Sequence, residues 1–577
     1  MRRATEVAAW LSRTSQRRWL TLIFVVALCV RLAYLLEVRG TPFCEVLLGD
    51  AANYDAWAQQ IQKDWIGREV FFQAPLYPYF LAVVYSVFGH ELEVVRVVQV
   101  LLGSLSCVLL ARASCVFFSK RVGLVSGLVL AVYGPALFFD GLLQKASLDL
   151  FLTTLLLHWL SRIELGASRK FPALAGVTLG CLALTRENAL VWLPCLLAWF
   201  ALRPGHARAS ITLRRQIAPF VLGVGLVLSL VASRNYLVGG QFFLTTSQFG
   251  QNFYIGNNAQ ADGTYQSLRF GHGGARFERQ DAIELAEQAL GRPLNASEVS
   301  HYWSARALAF IRREPVRWLR SLGKKWFLVW SAREIPDSDE PLVYADESTT
   351  LTVASALVSF GTVCPLALLG ALVSLRERRR FLVLHAMAVT LAAGTALFFV
   401  VARYRYPLVP LLIPFAVLGG FEAWHWFRGR QYRQLAIAFG IVLVGVGVTR
   451  LRLVPVESPR ATAYYDLGVS LEQLERPSEA QVSYRRALSA RPDFVEAHIN
   501  LGALYARAGK LDEAAEHERA ALRLAPDDPL AHANLGNVLL EQGQLGEAAV
   551  HYLRAQKLDP HLTQARDGLA AIREQIR

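Results

Sequence analysis

The chain has 577 residues, of which 54% are hydrophobic and only 18% are charged, and its formal net charge is +14. A soluble protein of this length would form several domains with polar surfaces and would need more charge, so the composition excludes that class and indicates a membrane protein. The positive charge lies in short arginine clusters and forms no basic stripe with interleaved aromatic residues, which excludes nucleic acid as a partner.

Apolar runs recur from Trp19 to Leu453, and each is long enough to cross a bilayer. They predict about eleven membrane spans, at 19–38, 92–118, 121–139, 141–160, 171–186, 187–203, 216–233, 350–375, 381–401, 406–427 and 433–453. The first run is too long for a signal-peptide core and lacks a small-residue cleavage site, so we expect an uncleaved span.

Clusters of arginine and lysine between these runs set the orientation. They lie at 13–18, 120–121, 162–170, 203–215, 376–380 and 428–433. If the N-terminus at 1–18 is cytoplasmic, every cluster falls on the inner side. A membrane domain at 19–455 then has outer loops at 39–91 and 234–349, and the C-terminal domain at 456–577 is also outside. We therefore expect a multi-pass protein of the cell (inner) membrane, with its folded mass on the periplasmic or extracytoplasmic side.

The first outer loop begins with an amphipathic segment. In residues 51–65, apolar side chains such as Tyr54 and Trp57 fall at helical spacing and form one face, which predicts a helix on the membrane surface. Asp50 stands directly before it and is a good N-cap, so capping is one interpretation of this residue. A second apolar stretch, at 73–88, is too short to span and predicts an interfacial or re-entrant helix.

Short motifs follow one another in order along the spans. They are FDGLLQK at 139–145, LTREN at 184–188, NFYIGNN at 252–258 and ARYRYP at 402–407. With an aspartate just beyond the first span and an aromatic-proline helix after it, they make most of residues 15–430 resemble the GT-C glycosyltransferases. The chain is most similar to the protein-mannosyltransferase-like and aminoarabinose-transferase-like group, of the glycosyltransferase family 39 type. It departs from many members at Gln73 and Ala74, where they carry a basic residue, and this puts a phosphate or metal contact there in doubt.

The resemblance implies an all-α, polytopic transferase that takes a sugar from a polyprenyl-phosphate donor and passes it, with inversion, to a protein or glycan acceptor. A lipid phosphate is a good leaving group and needs no general acid, whereas an acceptor hydroxyl needs a base. By the resemblance, Asp50 is that base, and Asp55 is a second acid that positions the acceptor or an ion. Arginine or lysine stabilises charge on the departing phosphate. No cofactor is certain, and a divalent metal ion stays open.

Charged residues enter the fourth predicted span from its outer end. Lys145 and Asp149 are four residues apart and share one helix face, which is compatible with an internal ion pair. Charges within a membrane are costly and are candidates for function. We predict that Lys145 binds the donor phosphate and that Asp140 positions the acceptor or an ion.

Arg403 and Arg405 break the orientation pattern at the outer end of the ninth predicted span. Snorkelling to the surface is one account of such residues. Two arginines beside Tyr404 and Tyr406, on the side that disfavours positive charge, fit an anionic ligand better. We therefore predict that both arginines bind the donor phosphate.

Other ionisable residues carry weaker signals. Arg186 and Glu187 form the outer turn between the fifth and sixth predicted spans, and we expect them to position the acceptor or an ion. Arg31, in the outer half of the first span, is expected to snorkel. His272 and His301 in the second outer loop show no metal-ligand spacing.

The C-terminal region repeats with a period of 34 residues. The positions that recur include Gly468, Gly502 and Gly536, Ala480, Ala514 and Ala548, and Pro492, Pro526 and Pro560. This period, with small residues where helices meet, predicts three TPR repeats, and 562–577 is expected to form a capping helix. Glu518 replaces the aromatic residue found at Tyr484 and Tyr552. Because TPR grooves hold peptides or proteins, we expect a protein partner there.

Three function classes are compatible with the sequence. The first is a glycosyltransferase using a lipid-phosphate sugar, favoured by Asp50, Lys145, Arg403 and Arg405 together. The alternative is a non-catalytic membrane scaffold that recruits partners through its TPR repeats, mildly favoured by the missing basic residue before Pro75. A flippase or polysaccharide ligase is a third candidate.

Overall fold

The computed structural model describes residues 14–166, 168, 170–202, 212–269, 275–336, 339–453 and 458–576. His272, the boundary at 455 and parts of the arginine clusters at 13–18, 162–170 and 203–215 lie outside them. Within the described residues every regular element is a helix, which confirms the expected all-α class. The chain divides into two compact units, Met1–Arg39 with Gly49–Pro455 and Gly40–Leu48 with Val456–Arg577.

In the described part of the chain, six stretches are long and apolar enough to cross a membrane. They are Gln16–Val38, Leu92–Phe117, Leu213–Gly239, Thr349–Leu397, Ala402–Arg428 and Tyr432–Thr449. A further candidate is the pair Lys120–Ala131 and Gly134–Gly141, bent by 50°. Shorter apolar helices lie at Leu76–Phe88, Lys170–Ala183 and Glu187–Leu202. The multi-pass membrane class is confirmed, while the count of about eleven spans stays a prediction.

The first helices surround the first outer loop. They are α1 (Thr14–Val38), α2 (Pro42–Glu45), α3 (Gly49–Lys63) and α4 (Leu76–Phe88), and α2 belongs to the second unit. The amphipathic helix expected in this loop is α3, and its apolar face is buried at Tyr54, Ala58 and Ile61. Tyr54 lies edge-on against Tyr77 of α4, with ring centroids 5.3 Å apart. The two short helices of this loop therefore pack on each other.

Among the described residues, seven α-helices follow before the second outer loop. They are α5 (Leu92–Phe117), α6 (Lys120–Ala131), α7 (Gly134–Gly141), α8 (Ala146–Glu164), α9 (Lys170–Ala183), α10 (Trp192–Leu202) and α11 (Ala218–Gly239). Small residues let α9 and α11 approach closely, as is common between membrane helices. A Cβ on Gly176 would lie only 2.0 Å from the backbone oxygen of Phe220.

The second outer loop is also helical. It contains α12 (Phe249–Gly256), α13 (Ala275–Leu290), α14 (Ala296–Arg313), α15 (Pro315–Val329) and α16 (Pro341–Asp346). The short helices expected at 281–290 and 297–312 lie within α13 and α14. Asn295 begins α14 with a capping box, in which its side chain and that of Glu298 bond each other's backbone N–H.

The last helices of the first unit follow this loop. They are α17 (Thr349–Leu357), α18 (Phe360–Ser374), α19 (Arg378–Leu397), α20 (Ala402–Arg405), α21 (Val409–Arg428) and α22 (Tyr432–Thr449). Irregular backbone separates α7 from α8, precedes the 3-10 turn Glu187–Val191, and separates α19 from α20. The motifs at 139–145, 184–188 and 402–407 lie at these breaks.

The second unit contains the TPR helices. They are α23 (Pro459–Gln473), α24 (Pro477–Ala490), α25 (Val495–Arg507), α26 (Leu511–Leu524), α27 (Pro529–Glu541), α28 (Leu545–Leu558) and α29 (Thr563–Ile576). Gly468 faces the ring of Tyr484 so closely that a Cβ would lie 2.5 Å from it, and Gly536 faces Tyr552 in the same way. This close contact explains why glycine recurs with the repeat period.

The segment Gly40–Leu48 packs on the first TPR helices. The ring of Phe43 lies 5.7 Å from that of Tyr464, and Glu45 pairs with Arg476 at 2.9 Å. Sequence analysis assigned this segment to an outer loop at 39–91, whereas its contacts place it in the TPR unit. A short piece of the first outer loop thus belongs to the second unit.

Candidate active site

Asp50 lies in the first turn of α3, with 5% of its surface exposed. The helix begins at Gly49, whose φ of +49° is in the left-handed region that glycine adopts readily. The Asp50 carboxylate accepts a hydrogen bond from Nη1 of Arg403 and another from the side chain of Gln144. The N-cap interpretation is therefore wrong, because the helix starts one residue earlier and the carboxylate bonds other segments.

The charge state of Asp50 follows from these neighbours. Burial by itself raises the pKa of a carboxyl group, but Arg403 and then Lys145 outweigh it and lower the pKa of Asp50 below its ordinary value of 3.8. Asp50 is therefore a carboxylate at neutral pH, which is the form that can accept a proton.

Two arginines lie beside the ring of Tyr404. The guanidinium carbon of Arg403 is 5.4 Å from the ring centroid and that of Arg186 is 5.0 Å from it. Arg186 also pairs with Asp149 at 2.6 Å, and both side chains are buried. The motifs at 184–188 and 402–407 are distant in sequence and meet at the Tyr404 ring.

Lys145 precedes α8 and is 8% exposed. The ion pair weighed for Lys145 and Asp149 is not formed, because Asp149 bonds Arg186. Among the residues that the structure describes, none accepts a hydrogen bond from Nζ of Lys145. The ammonium lies within electrostatic reach of Asp50 and of Arg403. Its charged neighbours are two cations, Arg186 and Arg403, and two carboxylates, Asp149 and Asp50. Because Nζ donates no hydrogen bond to these carboxylates, it is available to an anionic ligand.

Arg405 points into a different environment. It is 1% exposed, and its guanidinium pairs with Glu334 at 2.9 Å and lies 4.1 Å from the ring centroid of Phe360. It also donates to the backbone oxygens of Val329, Ser331 and Arg333. These contacts occupy both terminal nitrogens, so they favour a supporting role, and phosphate binding by Arg405 stays a prediction.

Asp140 and Arg31 form a buried pair at 2.7 Å, with no exposed side-chain surface on either residue. Arg31 also donates to the backbone oxygens of Ala27 and Ala131. Snorkelling of Arg31 is therefore a wrong expectation, because a carboxylate inside the helix bundle holds the guanidinium there. The role of Asp140 in positioning an acceptor or ion stays a prediction.

The remaining candidates have local partners. Asp55 accepts a hydrogen bond from the Tyr85 hydroxyl at 2.6 Å and pairs with His90 at 2.7 Å, which ties α3 to the end of α4. Glu187 accepts a hydrogen bond from the hydroxyl of Thr246. The positioning roles predicted for Asp55 and Glu187 are compatible with these contacts and stay predictions.

Sequence reasoning missed two contributors to this arrangement. Gln144, which bonds Asp50, stands directly before Lys145 in the FDGLLQK motif, and that position was the available signal. Asp149 was considered only as a partner of Lys145. Its pairing with Arg186 joins residues 37 positions apart, and complementary charge was the only signal for it.

In the described ranges, no three or more His, Cys, Asp or Glu side chains gather into a group that could hold a metal ion. The residues around Asp50 instead form a mixed cluster, which we call the Asp50 cluster. Its members are Asp50, Gln144, Lys145, Asp149, Arg186, Arg403 and Tyr404. Its arginines and lysine can bind a phosphate through charge-assisted hydrogen bonds. Lys145 in particular donates no hydrogen bond to a described residue and can therefore bind the anion of a ligand.

Comparison with known proteins finds family matches in both parts of the chain. Residues 73–234 match a family model described as dolichyl-phosphate-mannose-protein mannosyltransferase. Two tetratricopeptide repeat models match residues 465–529 and 529–562, which confirms the predicted repeats. No curated protein matches the chain.

Solved structures with some similarity include two membrane enzymes. The Saccharomyces cerevisiae protein O-mannosyltransferase Pmt1–Pmt2 complex is 14% identical, over 44% of this chain and 38% of that one, with a TM-score of 0.34. The Archaeoglobus fulgidus oligosaccharyltransferase is 14% identical, over 88% of this chain and 59% of that one, with a TM-score of 0.39. YrrB, a TPR protein with an unusual peptide-binding site, is 19% identical, over 38% of this chain and 97% of that one, with a TM-score of 0.19.

The family matches divide along the chain as the composition does, with the transferase model on the apolar part and the repeat models on the charged, alanine-rich part. They support a membrane glycosyltransferase. Residues 73–234 of this protein therefore resemble the dolichyl-phosphate-mannose-protein mannosyltransferase family, and tetratricopeptide repeats follow at residues 465–562.

Proposed function

We propose that this protein transfers a sugar from a polyprenyl-phosphate donor to a hydroxyl of a protein acceptor on the outer face of the membrane, with inversion. The observation that carries the proposal is the buried meeting of Asp50, Lys145 and Arg403. The described family acts on mannose carried by dolichyl phosphate and on protein, so polyprenyl-phosphate mannose is the donor to test first.

The reaction needs a base at the acceptor. The Asp50 carboxylate accepts the proton of the acceptor hydroxyl as its oxygen bonds to the anomeric carbon of the sugar. The bond between that carbon and the phosphate oxygen breaks, and its electron pair stays on the phosphate. Attack opposite the departing phosphate inverts the configuration at the anomeric carbon.

The departing lipid phosphate needs positive charge. Lys145 has no acceptor among the described residues, so an incoming phosphate can take its hydrogen bonds without breaking others. Arg403 pairs with Asp50 in the structure. We propose that the phosphate draws Arg403 to itself, which frees the Asp50 carboxylate for the acceptor hydroxyl. Donor binding would then switch on the base.

Supporting roles follow from the contacts around this centre. Arg186, held by Asp149, lies against the Tyr404 ring next to Arg403 and adds positive charge. We propose that Arg405 supports the turn that carries Arg403, because backbone oxygens occupy its terminal nitrogens.

Donor binding is the direct test. We expect Lys145→Ala and Arg403→Ala each to weaken binding of polyprenyl-phosphate mannose about tenfold or more, since a hydrogen bond to a charged group contributes about 1.5–3 kcal/mol. Arg68→Ala is the control, because Arg68 is an exposed arginine of the first outer loop, which also carries Asp50. Unchanged donor affinity in both cluster variants would refute the proposed donor site.

A scaffold remains the second candidate, because the TPR unit by itself could recruit proteins. The two functions separate in a transfer assay with purified protein in vesicles. An enzyme releases labelled sugar from the donor onto an acceptor, and a scaffold does not.

We also propose that the TPR unit lies on the outer side. Residues 40–48 follow the first span and lead directly to Gly49 and Asp50, yet they pack on the repeats. A cytoplasmic TPR unit would leave this segment on the wrong side of the membrane from its partners. A reporter active only in the cytoplasm, fused after the last residue, should be inactive, and activity there would contradict this placement.

A further inference from the structure

The backbone at 398–401 brings Arg403 to Asp50 without regular structure of its own. Four hydrogen bonds tie it and its flanks to the second outer loop. They run from Nδ2 of Asn257 to the Leu397 oxygen (2.8 Å), from Nζ of Lys325 to the Phe398 oxygen (2.9 Å), from Val400 N to the Gly263 oxygen (2.9 Å) and from Ala402 N to the Ile335 oxygen (2.8 Å). The second outer loop therefore holds the backbone segment that positions Arg403.

Lys325 lies at the centre of these contacts. It has no exposed surface, and an ammonium has three donors. They bond the Gly256 oxygen at 2.8 Å, the Phe398 oxygen at 2.9 Å and Oδ1 of Asn257 at 3.2 Å. One side chain of α15 therefore joins the end of α12 to the segment before Arg403.

The end of α12 and the segment at 398–401 are closely packed. A Cβ on Gly256 would lie 2.1 Å from the backbone oxygen of Phe398, so α12 and the segment are in direct contact. Loss of the Lys325 ammonium would leave buried carbonyl oxygens without a donor, which is costly in a site closed to water. The segment would have to move to reach another donor.

We infer that Lys325 is a positioning residue for sugar transfer, which sets the place of Arg403 relative to Asp50 through the backbone at Phe398. The inference rests on the proposed function, because it needs Arg403 to act on the donor or on Asp50.

The protonation of Lys325 gives a readout that a purely structural role would not. Its hydrogen-bond partners are the backbone oxygens of Gly256 and Phe398 and the side-chain amide oxygen of Asn257. No described carboxylate is among them. Burial lowers the pKa of Lys325 to about 8. As pH rises through about 8, Lys325 loses one of its three donors, and the transfer rate should fall with it.

The test combines single and double variants of the full chain in a transfer assay with polyprenyl-phosphate mannose. Lys325→Met should lower the rate about a hundredfold, since misplacing a reacting group by about 1 Å can cost that much. If Lys325 acts through Arg403, the double variant Lys325→Met/Arg403→Ala should be no slower than Arg403→Ala alone. Lys324→Met is the matched control and should keep the wild-type rate.

Lys325→Arg keeps the charge at higher pH and should move the alkaline decline of the rate upward. A wild-type rate in Lys325→Met, a double variant slowed by the product of the two single effects, or a Lys325→Arg pH profile identical to wild type would each overturn the inference. If Arg403→Ala itself keeps the wild-type rate, the proposed function fails, and the inference fails with it for that separate reason.

Discussion

Replacing Asp50 with asparagine tests its proposed role as the base while leaving the rest of the site in place. Asparagine keeps the shape of the side chain and still offers an oxygen to Arg403, but it cannot take a proton at neutral pH. General-base catalysis contributes about a hundredfold to ten-thousandfold. The transfer rate of Asp50→Asn should therefore fall by at least about a hundredfold, or about 2.7 kcal/mol of activation free energy at about 1.36 kcal/mol per factor of ten.

The same change has a cost in stability that can be bounded. The side chains of Arg403 and Asp50 are 11% and 7% exposed, so they form a largely buried pair. Removing one partner of a buried pair costs about 3–5 kcal/mol. Asparagine retains one acceptor oxygen, so the loss should be smaller, about 1–3 kcal/mol. Asp50→Asn should therefore still fold, with a melting temperature a few degrees lower.

The assay follows transfer of labelled mannose in vesicles, with thermal unfolding measured on the same preparations. Asp64→Asn is the matched control, because Asp64 is an exposed aspartate of the same loop that only accepts backbone N–H groups of Ile66 and Gly67. It should transfer at the wild-type rate. A folded Asp50→Asn protein with near-wild-type transfer would show that Asp50 is not the base.

Three further predictions concern stability. Arg31→Met leaves the Asp140 carboxylate buried alone and should destabilise the protein by about 3–5 kcal/mol, and an unchanged melting temperature in detergent would contradict this. Burial raises the pKa of Glu518 to about 9, so the folded state binds more protons than the unfolded one and stability falls as pH rises from about 4.5 to about 9. Hydrogen exchange in the TPR helices should show this decline, and Glu518→Gln should remove it. Gly176→Val should destabilise the helix pair because its Cβ has no room, whereas Gly225→Ala, with nothing within 4 Å, should not; equal melting temperatures for the two variants would refute the close-packing argument.

Much of the architecture could be predicted from local sequence patterns. Apolar runs, arginine clusters and a period of 34 depend on composition and on spacing within one or two helices, because the bilayer and the helix repeat act on short stretches of chain. The membrane class, the all-α fold and the TPR repeats could therefore be predicted from sequence. Short motifs that resemble a known family also singled out Asp50 and Lys145, which the structure brings near each other, while their roles stay predictions.

Partner choice among charged residues was decided only by the tertiary structure. Arg403 and Asp50 are 353 positions apart, and Arg31 and Asp140 are 109 apart. A sequence shows that charges exist but not which of several cations meets a given carboxylate. Arg405 is only two residues from Arg403, yet it donates hydrogen bonds to backbone oxygens of the second outer loop and not to Asp50. The packing of helices that are distant in sequence decides these pairs. A charge buried in the bundle is costly without a partner, and the fold determines which group of opposite charge lies near it.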